Sequence, residues 1–142
     1  PVDLYQVASE VVSRLASVAE KSEITLTLSG SSSYVDGNRR ILDEIISNLC
    51  DNAIKYNSPG GHAQVIISDR RLTVRDDGIG IPSDQQSRIF ERFYRVDKSH
   101  SKEVGGTGLG LSIVKHGAMY HNAAIHIDSS PGRGTSISLE FR

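Results

Sequence analysis

The chain is expected to fold as an α/β (α+β) two-layer sandwich, with a mixed β-sheet covered on one face by three helices. Two observations predict this. Three segments repeat apolar residues at helical spacing, and five shorter ones alternate apolar with polar residues. They run helix, strand, helix, strand, strand, a polar stretch, helix, strand, strand, without an internal repeat. Helices and strands mixed in this order layer against one sheet. A length of 142 residues suits one domain with a sizeable core, so residues 1–142 read as a single unit.

Each element has its own signal. Val2 to Ser22 sets Leu4, Val7, Val11, Leu15 and Val18 along a helical stripe. ITLTLSG, Ile24 to Gly30, alternates apolar residues with threonine as a half-buried strand does. Asp36 or Asn38 can cap a second helix, which runs to about Tyr56 and is stopped by SPGG at Ser58 to Gly61. AQVIISD and RLTVRDD are two strands joined by a tight turn at Asp69 and Arg70. From Ser83 to Gly108 polar residues dominate, interrupted by Phe90, Phe93 and Tyr94. A glycine run then feeds a third helix with apolar positions Leu109, Leu111, Ile113, Val114 and Met119. AAIHIDS, a turn at PGRG and TSISLEF complete the sheet.

Composition narrows the function. A hydrophobic fraction of 37% and a charged fraction of 23% fit a soluble globular domain. A net charge of -1 argues against a dedicated nucleic-acid binder, which carries a basic excess. No stretch approaches a membrane span in length, and no signal-peptide pattern opens the chain. It begins at Pro1 without methionine and is expected to be a piece of something longer. The single cysteine, Cys50, lies in an apolar helical stretch and is expected to pack rather than react. The five histidines lack zinc-site spacing and are expected to be solvated or packed.

Three segments carry chemistry. GGTGLGLSIVKH, Gly105 to His116, is a glycine run entering a helix, whose free amides and positive dipole end attract anions. It is not a P-loop, because Leu111 rather than lysine follows Gly110. Nor is it a dinucleotide fingerprint, because Leu111 stands where a third glycine is needed. On the second helix, steps of about 100° put Ile41, Ile45, Leu49 and Ala53 on the core face, and Arg40, Asp43, Ser47 and Asp51 toward water. Asn48 and Asn52 fall at the edge of the apolar arc, one above the other. A helix end or neighbouring backbone would satisfy their amides; so would a divalent ion with a phosphate chain, since amide oxygens are hard ligands suited to Mg²⁺. Lys55 lies one turn on, and Tyr56 offers a ring to a base. In DDGIGIP, Asp76 ends a strand where a carboxylate accepts from an exocyclic amine, and Gly78 and Gly80 allow close backbone approach to a planar ligand. A glycine turn with a solvated acid is the plainer alternative.

Taken together, these segments resemble the ATP-binding catalytic domain of bacterial sensor histidine kinases, within the wider ATPase family that includes gyrase, heat-shock 90 chaperones and MutL. NLCDNAIKYN is similar to the N box, DDGIGIP to the first glycine box, FERFYRVDKSHS to the F box and GGTGLGLSIVKH to the second glycine box. The run FYRVDKSHSKEVGGTGLGLSIVKH resembles kinases of the PhoR and WalK type. The resemblance implies a Bergerat-type fold with a mobile ATP lid. It implies that Asp76 bonds the adenine amine, that Tyr56 flanks the base, and that Thr135 on a closing strand lies near it. It implies that Asn48 and Asn52 hold Mg²⁺ against the phosphates with Lys55 nearby, and that Arg95 and Lys98 meet the terminal phosphates. Asn48, Lys55 and Arg95 are thereby implied to be catalytic. Ile79, Ile81 and Tyr94 complete the implied nucleotide contacts, as do Gly106, Thr107, Gly108, Leu109, Gly110 and Leu111 of the lid and phosphate cradle. Asp97 to Gly106 is expected to be the most mobile segment. Asp77 stands where the family usually has asparagine, and its charge is expected to disfavour a polyanion slightly.

One position separates branches of that family. Gyrase-like and MutL-like members carry a glutamate four residues before the conserved asparagine, where it activates water. Here the residue is Asn48, which cannot act as a general base. Lys55 replaces the gyrase-like aspartate. Both changes favour phosphoryl transfer over hydrolysis. The chain has no HELRTP-like helix, so the acceptor histidine is expected on a separate dimerisation and phosphoacceptor domain of the same kinase, with a response-regulator receiver domain downstream. The implied parent is a membrane sensor with this domain in the cytoplasm, and the isolated domain is expected to be monomeric. A gyrase-like ATPase clamp and an anti-sigma-factor serine kinase are the competing enzymes; a partner-binding module without nucleotide is the competing non-enzyme.

Overall fold

A computed structural model describes residues 1–86, 89–90 and 110–142, and within them Asp3 decides where the first helix begins. Its backbone is extended and its carboxylate accepts from Tyr5 N at 3.0 Å, capping α1 (Leu4–Lys21). The same carboxylate accepts from Ser33 N at 3.1 Å and Ser32 Oγ at 2.6 Å. These bonds, the Ser32 hydroxyl foremost, hold its pKa below the ordinary value. The helix expected from Val2 therefore starts at Leu4. Val2–Asp3 (β1) instead pairs antiparallel with Tyr34–Val35 (β3). Two-residue strands carry no period, so neither was legible in the sequence.

The other expected elements form within a residue or two of their predicted bounds. They are β2 (Thr25–Gly30), α2 (Arg39–Lys55), β4 (His62–Ser68), β5 (Arg71–Asp76), α3 (Gly110–Tyr120), β6 (Ala124–Ser130) and β7 (Gly134–Glu140). Of the two candidate caps for α2, Asn38 serves, accepting from Ile41 N at 3.1 Å.

The five-stranded sheet has the order β2-β4-β5-β7-β6, with β2 and β4 parallel and every other pair antiparallel. The chain between β2 and β4 includes α2, as a parallel pair requires a crossover. Register stacks Ile67, Leu72 and Leu139 in one cross-strand row, Val65, Val74 and Ile137 in the next, and Ala63, Asp76 and Thr135 in the last. The first two rows pack under the helices with Leu4, Val7 and Val11 of α1, Leu42, Ile45, Ile46 and Leu49 of α2, and Val114 and Ala118 of α3. Burying each of the larger side chains contributes about 1.5–3 kcal/mol. The third row ends in polar groups at the rim of that core. On the opposite sheet face the hydroxyls of Thr73 and Ser138 satisfy each other at 2.9 Å.

Two side-chain expectations change. Asp43 and Ser47 do not simply face water, because Arg14 of α1 bonds both, reaching Asp43 Oδ1 at 2.8 Å. Met119, read as an apolar position of α3, is 64% exposed. Between α2 and α3 the approach is close: a Cβ on Gly117 would come within 2.7 Å of Ile45 Cδ1.

Gly134 ties the fold to the sheet rim. Its φ is +108°, and a Cβ there would stand 2.0 Å from the Asp76 carbonyl oxygen. Gly134→Ala is expected to destabilise the domain by about 2–4 kcal/mol in urea unfolding. A loss below about 0.5 kcal/mol, the level of a neutral surface change, would contradict this close approach.

Candidate functional site

The last turns of α2 present Asn48, Asn52, Lys55 and Tyr56. Asn48 Nδ2 donates to the Glu44 carbonyl at 2.7 Å, which turns Oδ1 the other way. That oxygen would lie 3.0 Å from a Cβ on Gly110, so it faces the first turn of α3. A side chain at 110 would crowd this amide, and glycine leaves the space open. Asn52 is half-buried one turn later, and its amide makes no hydrogen bond among the described residues. Lys55, expected near the phosphates, has a partner on its own helix. Its ammonium is 2.9 Å from Asp51 Oδ2, in a partly exposed i,i+4 pair of little energetic weight. Reaching a phosphate requires that pair to open.

Asp76 closes β5 at the rim. Burial pushes its carboxyl up to about 6, against the opposing pull of backbone donors at Gly78, 2.9 Å away, and Thr135. The DDGIG segment is docked on the end of α2, where Ile79 N donates to the Tyr56 carbonyl at 3.1 Å. A Cβ on Gly78 would meet that carbonyl oxygen at 2.3 Å. On its other side the segment leans on the β6–β7 turn. Gly132 N donates to Ile79 O at 2.8 Å, and Ile81 N to Ser129 Oγ at 2.8 Å. Ser129 in turn meets Thr135 Oγ1 at 2.8 Å. A cleft of about 220 Å³ opens beside this junction, with Asp76, Thr135, Arg75 and Arg133 among its lining.

Four segments thus converge: the end of α2, DDGIG, the start of β7 and the start of α3. They bring together Asn48, Asn52, Asp76, Gly78, Gly110 and Thr135, six of the positions singled out in the sequence. Tyr56, Ile79, Gly80 and Ile81 border the same junction, with Ile79 partly exposed. Leu111, expected in the cradle, is half-buried against the core. Tyr94, Arg95, Lys98, Gly106, Thr107, Gly108 and Leu109 lie outside the described residues, as does the expected mobile segment 97–106.

Sequence reasoning missed Asn57, His62 and Ser129. No local signal marks them, because their partners are 20, 15 and 48 residues away. Asp77, expected to work slightly against a polyanion, takes donors from His62 and Asn57. The backbone N–H of His62 foremost draws its carboxyl down to about 2, so it keeps its charge. Cys50 behaves as expected: it is buried, and burial pushes its thiol up to about 12. Among the described residues no cluster of three or more His, Cys, Asp or Glu side chains could hold a metal, and no helix is long and apolar enough to cross a membrane.

A mixed sheet under one helical layer, with Asn48 of α2 facing the glycine-led start of α3 and Asn52 one turn further along, is the arrangement of a nucleotide-binding ATPase class. Residues 37–142 match the family described as histidine kinase-, DNA gyrase B-, and HSP90-like ATPase, and the chain belongs to it. Among its relatives, the sensor-like histidine kinase SenX3 of Mycolicibacterium smegmatis is 46% identical over 99% of this chain and 38% of its own length. The solved mycobacterial sensor histidine kinase MprB superposes with a TM-score of 0.83 at 30% identity, covering 98% of this chain and 93% of that one. Full-length ShkA, solved in complex with AMPPNP, gives a TM-score of 0.83 at 26% identity over 99% of this chain and 30% of its own. The chain spans 38% or less of the length of SenX3 and the sensor kinases YkoH and RppB.

Proposed function

We propose that this chain is the ATP-binding catalytic domain of a two-component sensor histidine kinase, presenting the γ-phosphate of Mg-ATP to a histidine on the dimerisation and phosphoacceptor domain of its parent. A response-regulator receiver domain takes the phosphoryl group next, and the parent is a membrane sensor that holds this domain in the cytoplasm. The single observation carrying this reading is the Asn48 oxygen aimed at the glycine start of α3, with Asp76 half-buried at the end of β5. An adenine amine donating to Asp76 at one end and phosphates at the α3 amides at the other fit an extended nucleotide. The SenX3 and MprB likenesses and the AMPPNP complex of ShkA support the same assignment.

The donor set fits a magnesium ion. Asn48 offers an oxygen fixed in direction by its Nδ2 bond, and Asn52 an amide uncommitted to any described residue. These two would hold the ion, which when bound supplies positive charge to the phosphate oxygens. Tyr56 flanks the base, with Thr135, Gly78, Ile79, Gly80 and Ile81 shaping its pocket. Gly110 and Leu111 open the cradle. Lys55, released from Asp51, and Arg95 and Lys98 neutralise phosphate charge, with Tyr94 and the glycine run 106–109 completing the lid. Neither residue favoured for hydrolysis in the gyrase-like branch is present, since Asn48 and Lys55 occupy those positions.

Calorimetric titration tests the nucleotide reading. The domain is expected to bind Mg-ADP and Mg-ATP one to one, with Kd between about 1 μM and 1 mM. Absence of heat at several times that upper limit rejects it.

A further inference from the structure

Asn57, His62 and Asp77 are remote in sequence and meet beside Asp76. Asp77 Oδ1 accepts from the His62 backbone N–H at 2.7 Å and from Asn57 Nδ2 at 3.1 Å, while Oδ2 faces His62 Nδ1 at 3.0 Å. Asn57 Nδ2 also donates to the His62 carbonyl at 3.1 Å, and its own oxygen accepts from Ser58 N at 2.8 Å. The loop so gathered leaves α2 at Tyr56, the residue whose carbonyl receives Ile79 N. Asp76 is therefore held from both sides. Upstream, sheet register fixes it between Ala63 and Thr135; downstream, Asp77 and Ile79 are tied to the end of α2 and to the 57–62 loop.

We propose that Asp77 is a positioning residue for adenine recognition, clasping the 57–62 loop so that the neighbouring Asp76 carboxylate keeps the direction in which it meets the base. The proposal rests on the reading of Asp76 as the group that bonds adenine. The residue type follows from donor counting. A carboxylate accepts all three N–H groups, and it takes the His62 Nδ1 proton whether the ring is neutral or charged. Asparagine offers one oxygen for the His62 and Asn57 donors, and its NH₂ then faces Nδ1, which must be unprotonated to receive it. In this chain an acid keeps the clasp closed whether the ring carries one proton or two; an amide makes it conditional on a neutral ring.

Few charges act on that ring. Asp77 faces it from the strand end and uncharged Asn57 from the loop, and its register partner on β2 is uncharged Thr25. Asp76 titrates next door, and after burial the Asp77 charge is among the causes that raise it, so Asp77→Asn also eases Asp76 ionisation. The double variant Asp77→Asn/His62→Gln carries that same change without the ring, and its comparison with Asp77→Asn isolates the His62 effect.

The test is Mg-ADP affinity at pH 8 and pH 5.5 for wild type, Asp77→Asn and Asp77→Asn/His62→Gln. Asp77→Asn is expected to match wild type within about two-fold at pH 8 and to fall roughly five- to ten-fold below it at pH 5.5; the double variant removes that extra fall. A ratio of variant to wild type that is the same at both pH values overturns the proposal, as does an extra fall that persists without His62. If Asp77→Asn unfolds at pH 5.5 by circular dichroism, Asn57→Ala replaces it. That variant is expected to weaken ADP about three-fold and leave tripolyphosphate binding unchanged, and wild-type ADP affinity in it overturns the clasp. Asp76→Ala separates the two levels of the argument. If it binds ADP like wild type, the base-binding reading fails and takes the clasp with it. If it loses ADP while Asp77→Asn stays flat with pH, only the clasp fails.

Discussion

Asp76→Asn is expected to weaken ATP on the order of 100-fold, about 2.8 kcal/mol, and to erase the preference for ATP over GTP. Asp76 sits half-buried at the rim of the sheet with one oxygen already taken by Gly78 N at 2.9 Å. An asparagine that keeps this bond must aim its NH₂ toward the base amine, leaving two donors face to face and unpaired. The fold should not suffer. Burial raises the Asp76 carboxyl to about 6 from its ordinary 3.8, so the folded state favours the neutral form. The stability this group contributes is full below about pH 3.8 and is lost as pH rises through about 6. An uncharged amide escapes that loss, and the variant is expected to melt at or above wild type at pH 7.5. Nucleotide works in the opposite direction, because an amine donor favours the carboxylate. Wild-type ATP affinity should fall as pH drops below about 6, with proton release detectable as buffer-dependent heats. Wild-type affinity and selectivity in the variant would remove Asp76 from the base site.

The fold was readable wherever a period was long enough to register. The stripe Leu4, Val7, Val11 and the alternation in ITLTLSG announce α1 and β2, and all five strands of the main sheet occur where alternation places them. The α1 start was misread because a capping aspartate and a two-residue strand depend on Ser32 and Ser33, some thirty residues away. The site divides in the same way. Asn48 and Asn52 stood out as costly amides at the edge of an apolar arc, and a helical wheel is enough to find them. The Asp51 partner of Lys55 was visible at i,i+4 but not that the two would pair. The clasp of Asp77 could not be seen at all, because a donor count needs the loop and the strand end to be adjacent in space. Long-range polar pairings lack the periodic redundancy that makes core positions readable. What the acidic residue beside Asp76 does for the 57–62 loop is visible only once its donors are in place.

Phosphoryl transfer gives the second large effect. Alone, the domain is expected to hydrolyse ATP far more slowly than a dedicated ATPase and to leave itself unphosphorylated. Asn48 supplies no base, and no histidine of the chain lies in an acceptor-like sequence. Mixed with the dimerisation and phosphoacceptor fragment of its parent, it should produce acid-labile phosphohistidine on that fragment. Asn48→Ala removes the oxygen directed at the α3 start, and is expected to lower the transfer rate by about 100-fold or more while changing metal-free ADP affinity by no more than about two-fold. Arg95→Ala should likewise slow transfer more than it weakens ADP. A cation at the terminal phosphate stabilises charge that develops during transfer and that a diphosphate does not present. A purely structural role for Asn48 would instead lower ADP affinity and the melting temperature together, and the rate would fall only in proportion. Brisk ATP hydrolysis by the lone domain would move it to the gyrase-like branch despite Asn48, and acid-stable phosphoserine on an added partner would make it a serine kinase. Acid-labile phosphate on the acceptor fragment, sensitive to Asn48 and absent without the domain, is the outcome that the geometry of α2 and α3 leads us to expect.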